Sequence, residues 1–84
     1  MRNEKDIIYD MLKVISDNKN KIRRTKLLTK SNINSNQSNL YSKILLDNKL
    51  IIISSIEENI SFLSVSSNGF DYIQKYEDLI KTLL

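Results

Sequence analysis

The apolar residues of this chain follow a helical spacing up to residue 47, a strand-like pattern over residues 50–65, and a helical spacing again beyond that. The first helix is predicted over residues 4–17, with Asn3 as its cap and one apolar face: Ile7, Ile8, Met11, Leu12 and Ile15. A hydrophobic set of 40% of 84 residues is enough for one small core, so a single domain is expected.

Two short helices are predicted to follow. The first spans residues 25–31, with Thr25 as its cap and Leu27 and Leu28 facing inward. The second spans residues 35–47, and its predicted apolar stripe is Leu40, Tyr41, Ile44 and Leu45. Between them, residues 32–34 predict a turn, because Asn tolerates left-handed geometry, and Ile33 is expected to anchor that turn to the core.

The β-branched segment predicts a hairpin of two strands, residues 50–56 and 60–65, joined by a turn at residues 57–59. Ser66 is the predicted cap of a last helix that continues to residue 84. The predicted fold class is therefore α+β and mostly α, a winged helix-turn-helix in the order α-α-α-β-β-α. Residues 1–66 are predicted to form the winged domain, and residues 67–84 are predicted to form a C-terminal helix for dimerisation within a single domain overall.

Charge is distributed unevenly. Residues 19–49 hold eight basic side chains and one acidic one, whereas the rest of the chain holds five basic and nine acidic ones. This asymmetry favours a polyanion-binding surface over a merely solvated one. The residues predicted to contact DNA phosphates surround the second helix: Lys21, Arg23, Arg24, Thr25, Lys26 and Lys30. The residues predicted to contact DNA bases are the polar ones of the third helix: Ser35, Asn36, Gln37, Asn39, Ser42 and Lys43.

Two other features leave alternatives open. The tip of the hairpin is acidic at Glu57 and Glu58, so it either stays off DNA, meets a protein, or simply keeps the tip soluble. The last helix carries apolar residues on more than one face, which favours a homodimer over a helix that only covers its own core. The predicted dimer interface is Tyr72, Tyr76, Leu79 and Leu83.

Several classes of protein are disfavoured. The chain has no Cys and no His, so no disulfide, thiol nucleophile or His-based zinc site is expected. No catalytic pair stands at a suggestive spacing, and we expect a protein that is not an enzyme and has no cofactor, metal or small-molecule substrate. Because no long apolar segment or signal peptide is present, a cytoplasmic protein without membrane contact is expected. The predicted contacts with DNA add the expectation that it is associated with the nucleoid.

Ordered motifs run through nearly the whole chain. They are Asp6-Ile7-Ile8-Tyr9-Asp10-Met11-Leu12, Thr25-Lys26-Leu27-Leu28, Ser31-Asn32-Ile33, Tyr41, Leu45 through Leu50-Ile51, and Val65-Ser66-Ser67-Asn68-Gly69. In this order they resemble the archaeal winged helix-turn-helix domains of the Arn-regulator-like type. Lys49 departs from that pattern, since the family usually has Gly there.

The resemblance implies binding to double-stranded DNA as a homodimer through the last helix. The expected function is transcriptional regulation with the third helix in the major groove. A chromatin protein without sequence preference, and a winged helix that binds a protein, remain alternatives.

Overall fold

The computed structural model describes residues 2–83, which form four helices and three strands. In chain order these are α1 (Glu4–Asp17), β1 (Ile22–Arg23), α2 (Arg24–Lys30), α3 (Ser35–Asp47), β2 (Ile51–Glu57), β3 (Ile60–Val65) and α4 (Ser67–Leu83). The bounds predicted for α1, α3 and β3 are confirmed. The predicted end of the last helix at residue 84 lies outside the described residues.

Side-chain caps explain why the first and third helices begin where they do. Asn3 accepts a hydrogen bond from the backbone N–H of Asp6 at 2.9 Å, and the Asp6 carboxylate accepts one from the backbone N–H of Asn3. Asn34 likewise accepts from the backbone N–H of Gln37 at 3.0 Å. Each cap satisfies a donor that a helix start would otherwise leave unpaired.

The second helix differs from its prediction. It begins at Arg24 rather than Thr25, and Arg23 occupies the cap position without a side-chain hydrogen bond. The prediction that Thr25 caps this helix is therefore wrong. The turn that follows is as predicted, because Asn32 adopts a left-handed φ of 58° and Ile33 is buried.

The three strands form one antiparallel sheet in the order β1-β3-β2. The two-residue strand β1 was not predicted; it pairs Ile22 with Leu63 and Arg23 with Phe62. Strands β2 and β3 pair from Ile51↔Val65 to Glu57↔Ile60, with an extra residue inserted in β2 between Ile53 and Ser55.

The hairpin turn is shorter than predicted. Strand β2 runs one residue further than expected, to Glu57, so that the connection consists of Glu58 and Asn59 alone. Both adopt a positive φ, 51° and 66°, as the tight two-residue turns of hairpins require.

The core lies between α1, α2, α3 and the inner face of the sheet. Its fully buried side chains are Met11, Leu12, Ile15, Ile22, Leu27 and Leu45. On α3, Tyr41 is buried as predicted, but Leu40 is 55% exposed and Ser38 is buried, so the inclusion of Leu40 in the apolar stripe was wrong. The Ser38 hydroxyl is satisfied there because it donates to the Ser35 carbonyl at 3.0 Å.

Helix α4 packs on α1 through aromatic and polar contacts. Tyr9 and Tyr76 stack with ring centroids 4.2 Å apart, and Tyr9 donates a hydrogen bond to Glu77 at 2.7 Å. At its start, Ser66 accepts from the Gly69 N–H at 3.1 Å, which confirms it as the cap. A Cβ on Gly69 would collide with the Leu50 carbonyl oxygen and the Val65 side chain, so a glycine is needed at this close approach.

Candidate nucleic-acid interface

A surface depression of about 380 Å³ lies between α3 and the sheet. Its polar lining comes from Arg24 on α2 and from α3: Arg24, Asn39, Ser42, Lys43 and Asp47. Its remaining lining comes from the end of α3 and from the sheet, and it is apolar apart from Ser61: Leu46, Ile51, Ile53, Ser61 and Leu63. We call this depression the α3 groove.

Arg24 connects the basic second helix to the third. Its Nη2 donates a hydrogen bond to Asn39 Oδ1 at 2.6 Å. Arg24 also lines a second depression of about 330 Å³, whose other lining residues come from the start of α2 and the hairpin: Arg23, Thr25, Asn59, Ile60 and Ser61. Since Arg24 is common to both depressions, the two are adjacent on the surface.

The structure thus brings part of the predicted site together. Arg23, Arg24 and Thr25 adjoin Asn39, Ser42 and Lys43 across these two depressions. All six are exposed except Ser42, which is half-buried. Two guanidinium groups beside the polar side of a helix form a surface on which the guanidinium groups can bind phosphates and the helix side chains can contact bases.

Lys21 points to a different partner. Its Nζ lies 2.5 Å from a Glu57 carboxylate oxygen and 4.7 Å from the centre of the Phe62 ring. The hydrogen bond from Lys21, followed by one from Ser55, lowers the pKa of Glu57 below its usual value. The positive charge of Lys21 is therefore balanced by the acidic end of the hairpin.

The remaining predicted phosphate contacts lie elsewhere on α2. Lys26 is exposed on that helix. Lys30, at its last residue, donates a hydrogen bond from Nζ to Asn18 Oδ1 at 3.3 Å. Neither residue lines the two depressions beside α3.

Three predicted base-contacting residues stand in the first turn of α3. Ser35, Asn36 and Gln37 are all exposed there. Two hydrogen bonds at this helix start use backbone groups, the Ser35 carbonyl and the Gln37 N–H, and not the side chains of these residues.

The predicted dimer residues divide into two pairs. Tyr72 and Tyr76 are half-buried against α1, where Tyr72 donates to the Lys5 carbonyl at 3.0 Å and Tyr76 donates to the Asp6 carboxylate. Leu79 and Leu83, further along α4, are 56% and 73% exposed. Ile80 is exposed as well, so three neighbouring apolar side chains face solvent in the C-terminal half of this helix, and Phe70 is exposed in its first turn.

Sequence reasoning missed two kinds of site residue. Leu46 and Ile53 line the α3 groove, but the sequence contains no signal for them beyond their apolar character in a helix and a strand. Tyr9 and Glu77 join α1 to α4, and only the pairing of the two helices reveals that contact. Among residues 2–83, no group of three or more acidic side chains is arranged to hold a metal ion. No helix in the same range has the length and apolar character to cross a membrane.

Solved structures share this architecture. Sso10a-2, described as a DNA-binding protein from Sulfolobus solfataricus, superposes with a TM-score of 0.78 and 20% identity over 96% of this chain and 81% of that one. The F93 protein from STIV, described as a winged-helix DNA-binding protein, superposes with a TM-score of 0.80 and 15% identity over 99% of this chain and 96% of that one. The fold of this chain is a winged helix.

At these identities the likeness concerns the fold alone. No protein-family model matches the sequence, and no curated protein sequence does. The prediction of a winged helix-turn-helix architecture is confirmed, with α2 and α3 as the helix-turn-helix and β2 and β3 as the wing. The narrower resemblance to the Arn-regulator-like type stays a prediction.

Proposed function

We propose that this winged helix binds duplex DNA as a homodimer and acts as a transcriptional regulator. The observation that carries the proposal is the adjacency of the Arg23 and Arg24 guanidinium groups to the exposed polar side of α3. The descriptions of Sso10a-2 and F93 as DNA-binding proteins support it. A regulator of this kind is expected at the nucleoid.

In this proposal α3 enters the major groove while α2 lies against the phosphate backbone. The polar side chains at the start of α3 and along its groove side would meet base edges: Ser35, Asn36, Gln37, Asn39, Ser42 and Lys43. The cationic and hydroxyl side chains around α2 would meet phosphates: Lys21, Arg23, Arg24, Thr25, Lys26 and Lys30.

These phosphate contacts are not equivalent. Lys21 already has a carboxylate partner in Glu57, so its transfer to a phosphate would leave that carboxylate unpaired. Arg23 and Arg24 carry no such compensation in the salt bridges among residues 2–83. We therefore assign the larger part of phosphate binding to the two arginines.

The dimer is proposed to form through α4. Leu79 and Leu83 expose most of their side chains, and Tyr72 and Tyr76 flank them on the same helix. Burying such leucines stabilises an interface by roughly 1.5–3 kcal/mol each. Two copies joined in this way would present two α3 helices to two half-sites of a two-fold symmetric DNA site.

A gel mobility-shift titration over a salt series tests the proposal. Neutralising roughly four to six phosphates per subunit gives a slope of log affinity against log salt of about −4 to −5 for each subunit, or about −7 to −11 for the dimer. Changing Arg23 and Arg24 together to Ala is expected to weaken binding to every duplex and to reduce the magnitude of the slope by about 2 per subunit, or about 4 for the dimer.

The matched control removes two positive charges from α1, through Lys5→Ala and Lys13→Ala. Both lysines lie outside the basic segment, so the slope is expected to stay close to that of the wild type.

Analytical ultracentrifugation tests the proposed dimer. The wild type is expected to sediment with the mass of a dimer, and the variant Leu79→Lys/Leu83→Lys with that of a monomer. Affinity without salt dependence, or an equal effect of the lysine variant and the arginine variant, would rule the proposal out.

A further inference from the structure

The hydrogen bond between Arg24 and Asn39 determines which way the Asn39 amide faces. A guanidinium group has only donors, so the atom that meets Arg24 Nη2 at 2.6 Å must be the amide oxygen. The orientation of the amide therefore follows from chemistry and not from an arbitrary choice between its oxygen and nitrogen. The amide group that remains available to contact a base is therefore the –NH₂ group, which is a donor.

Neighbouring groups in the α3 groove add further donors. Lys43 follows Asn39 by four residues, so the two lie on one side of α3, and both line the groove with Arg24. An ammonium group donates only, as does the remainder of the Arg24 guanidinium. The hydroxyl of Ser42 serves either role, and the carboxylate of Asp47 lies one helical turn beyond Lys43 at the end of α3.

Base edges in the major groove differ in the groups that they present. Guanine offers two acceptors, N7 and O6, whereas adenine offers the acceptor N7 and the donor N6–H₂. An Asn amide pairs with adenine through both its oxygen and its –NH₂. In this protein the oxygen already accepts from a charged donor, so the N6–H₂ of an adenine would have to use the second lone pair of that oxygen beside the positive charge of Arg24, which disfavours adenine.

We propose that Arg24 is a positioning residue that directs Asn39 to read guanine rather than adenine. This inference rests on the proposed function and adds a base preference to it. Arg24 acts through the Asn39 amide, and its own remaining N–H groups and the Lys43 ammonium favour the same acceptor-rich edge. Arg24 therefore contributes to specificity as well as to phosphate binding.

Selection of duplexes from a random pool tests the inference. The wild type is expected to select guanine at one position of each half-site. In Arg24→Ala the amide oxygen of Asn39 is released, and the ratio of guanine to adenine affinity at that position is expected to fall by about tenfold, toward adenine. Arg24 is exposed, so circular dichroism of this variant should match that of the wild type.

Arg23→Ala is the matched control. Arg23 is the adjacent residue, is exposed and carries the same charge, but it does not line the α3 groove that holds Asn39. It is expected to lower affinity for all duplexes while the guanine preference stays. In an Asn39→Ala background the effect of Arg24→Ala on preference should be much smaller than in the wild type, because the part that acts through the Asn39 amide is lost and only the direct contribution of the Arg24 N–H groups remains.

The outcomes separate the inference from the proposed function. Salt-dependent binding in which Arg24→Ala and Arg23→Ala both keep the wild-type preference would overturn the inference and leave DNA binding intact. Selection of adenine by the wild type would do the same. A wild type that binds no duplex at low salt would overturn the proposed function, and the inference with it.

Discussion

Asn20 is predicted to join α1 to the sheet, and its replacement by Ala tests that role. Its side-chain oxygen accepts from the backbone N–H of Val65 at 2.8 Å, and its backbone carbonyl accepts from the Ser64 hydroxyl at 2.6 Å. Asn20 also adopts a left-handed φ of 54°, which Asn tolerates better than Ala. The side chain thus extends the pairing of β3 beyond the two residues of β1.

The magnitude of the loss follows from these two features. Val65 is 4% exposed, so its N–H would lose its partner in a buried position, at a cost of roughly 1–3 kcal/mol. The left-handed backbone adds roughly 1 kcal/mol for Ala. We therefore expect Asn20→Ala to lower the free energy of unfolding by about 2–4 kcal/mol, against a total of about 4–13 kcal/mol for a domain of this length.

Two further substitutions separate the causes. Asn20→Asp keeps an oxygen acceptor for the Val65 N–H and tolerates the left-handed φ, but it loses the long donation from Asn20 Nδ2 to the Val65 carbonyl at 3.5 Å, so its loss should be about 1 kcal/mol and smaller than that of Asn20→Ala. Asn20→Gly removes the acceptor but accepts the φ, so its loss should be about 1–3 kcal/mol.

Urea unfolding followed by far-ultraviolet circular dichroism gives these free energies, since the chain has no Trp to report on unfolding. A loss below about 1 kcal/mol for Asn20→Ala would refute the assigned hydrogen bond. So would a variant Asn20→Asp that is as unstable as Asn20→Ala.

Two other predictions concern backbone strain and pH. Lys49 has a φ of 56°, a conformation that glycine adopts freely, so Lys49→Gly should raise the free energy of unfolding by about 1 kcal/mol or less, and a lower melting temperature would contradict this. Hydrogen bonds to Glu77 and Asp6 raise the pKa of Tyr9 and of Tyr76, respectively, to about 12. The folded state therefore keeps protons that the unfolded state releases near pH 10, so this stabilisation is complete below pH 10 and is lost as the pH rises through 12. Titration of phenolate absorbance in the wild type and in the variant Tyr9→Phe/Tyr76→Phe checks these raised pKa values. If all four tyrosines of the wild type ionised near pH 10, the prediction would be contradicted.

The local signals in the sequence predicted most of the fold. The bounds of α1 and α3 were right because Asn3 and Asn34 cap them through their own side chains, and capping depends on residues only three positions apart. The two-residue strand β1 was missed because its pairing with β3, some 40 residues away, creates it. Intrinsic propensity cannot indicate a strand that exists only through a distant partner.

The sequence predicted which residues belong to the candidate site, but it did not predict the contacts that those residues make with one another. Charge patterning identified Arg23 and Arg24, yet nothing in the sequence indicated that Lys21 would face Glu57 or that Arg24 would bond Asn39. On α3, the exposure of Leu40 and the burial of Ser38 show that the helix is rotated from the face that its apolar residues suggest. Tertiary packing sets that rotation, and with it the side chains that line the groove.

The extra residue at Ser54 has a consequence for how the protein behaves at high concentration. In the sheet order of the described residues, β2 lies at an edge, and it exposes Ile52, Ile53 and Ile56. A long apolar edge of this kind is a template on which other molecules stack into fibres. Because the register changes between Ile53 and Ser55, an incoming strand meets only three regular positions on either side. The inserted residue therefore disfavours polymerisation through pairing of further strands with β2. The hairpin can then expose its isoleucines without forming an aggregation-prone edge.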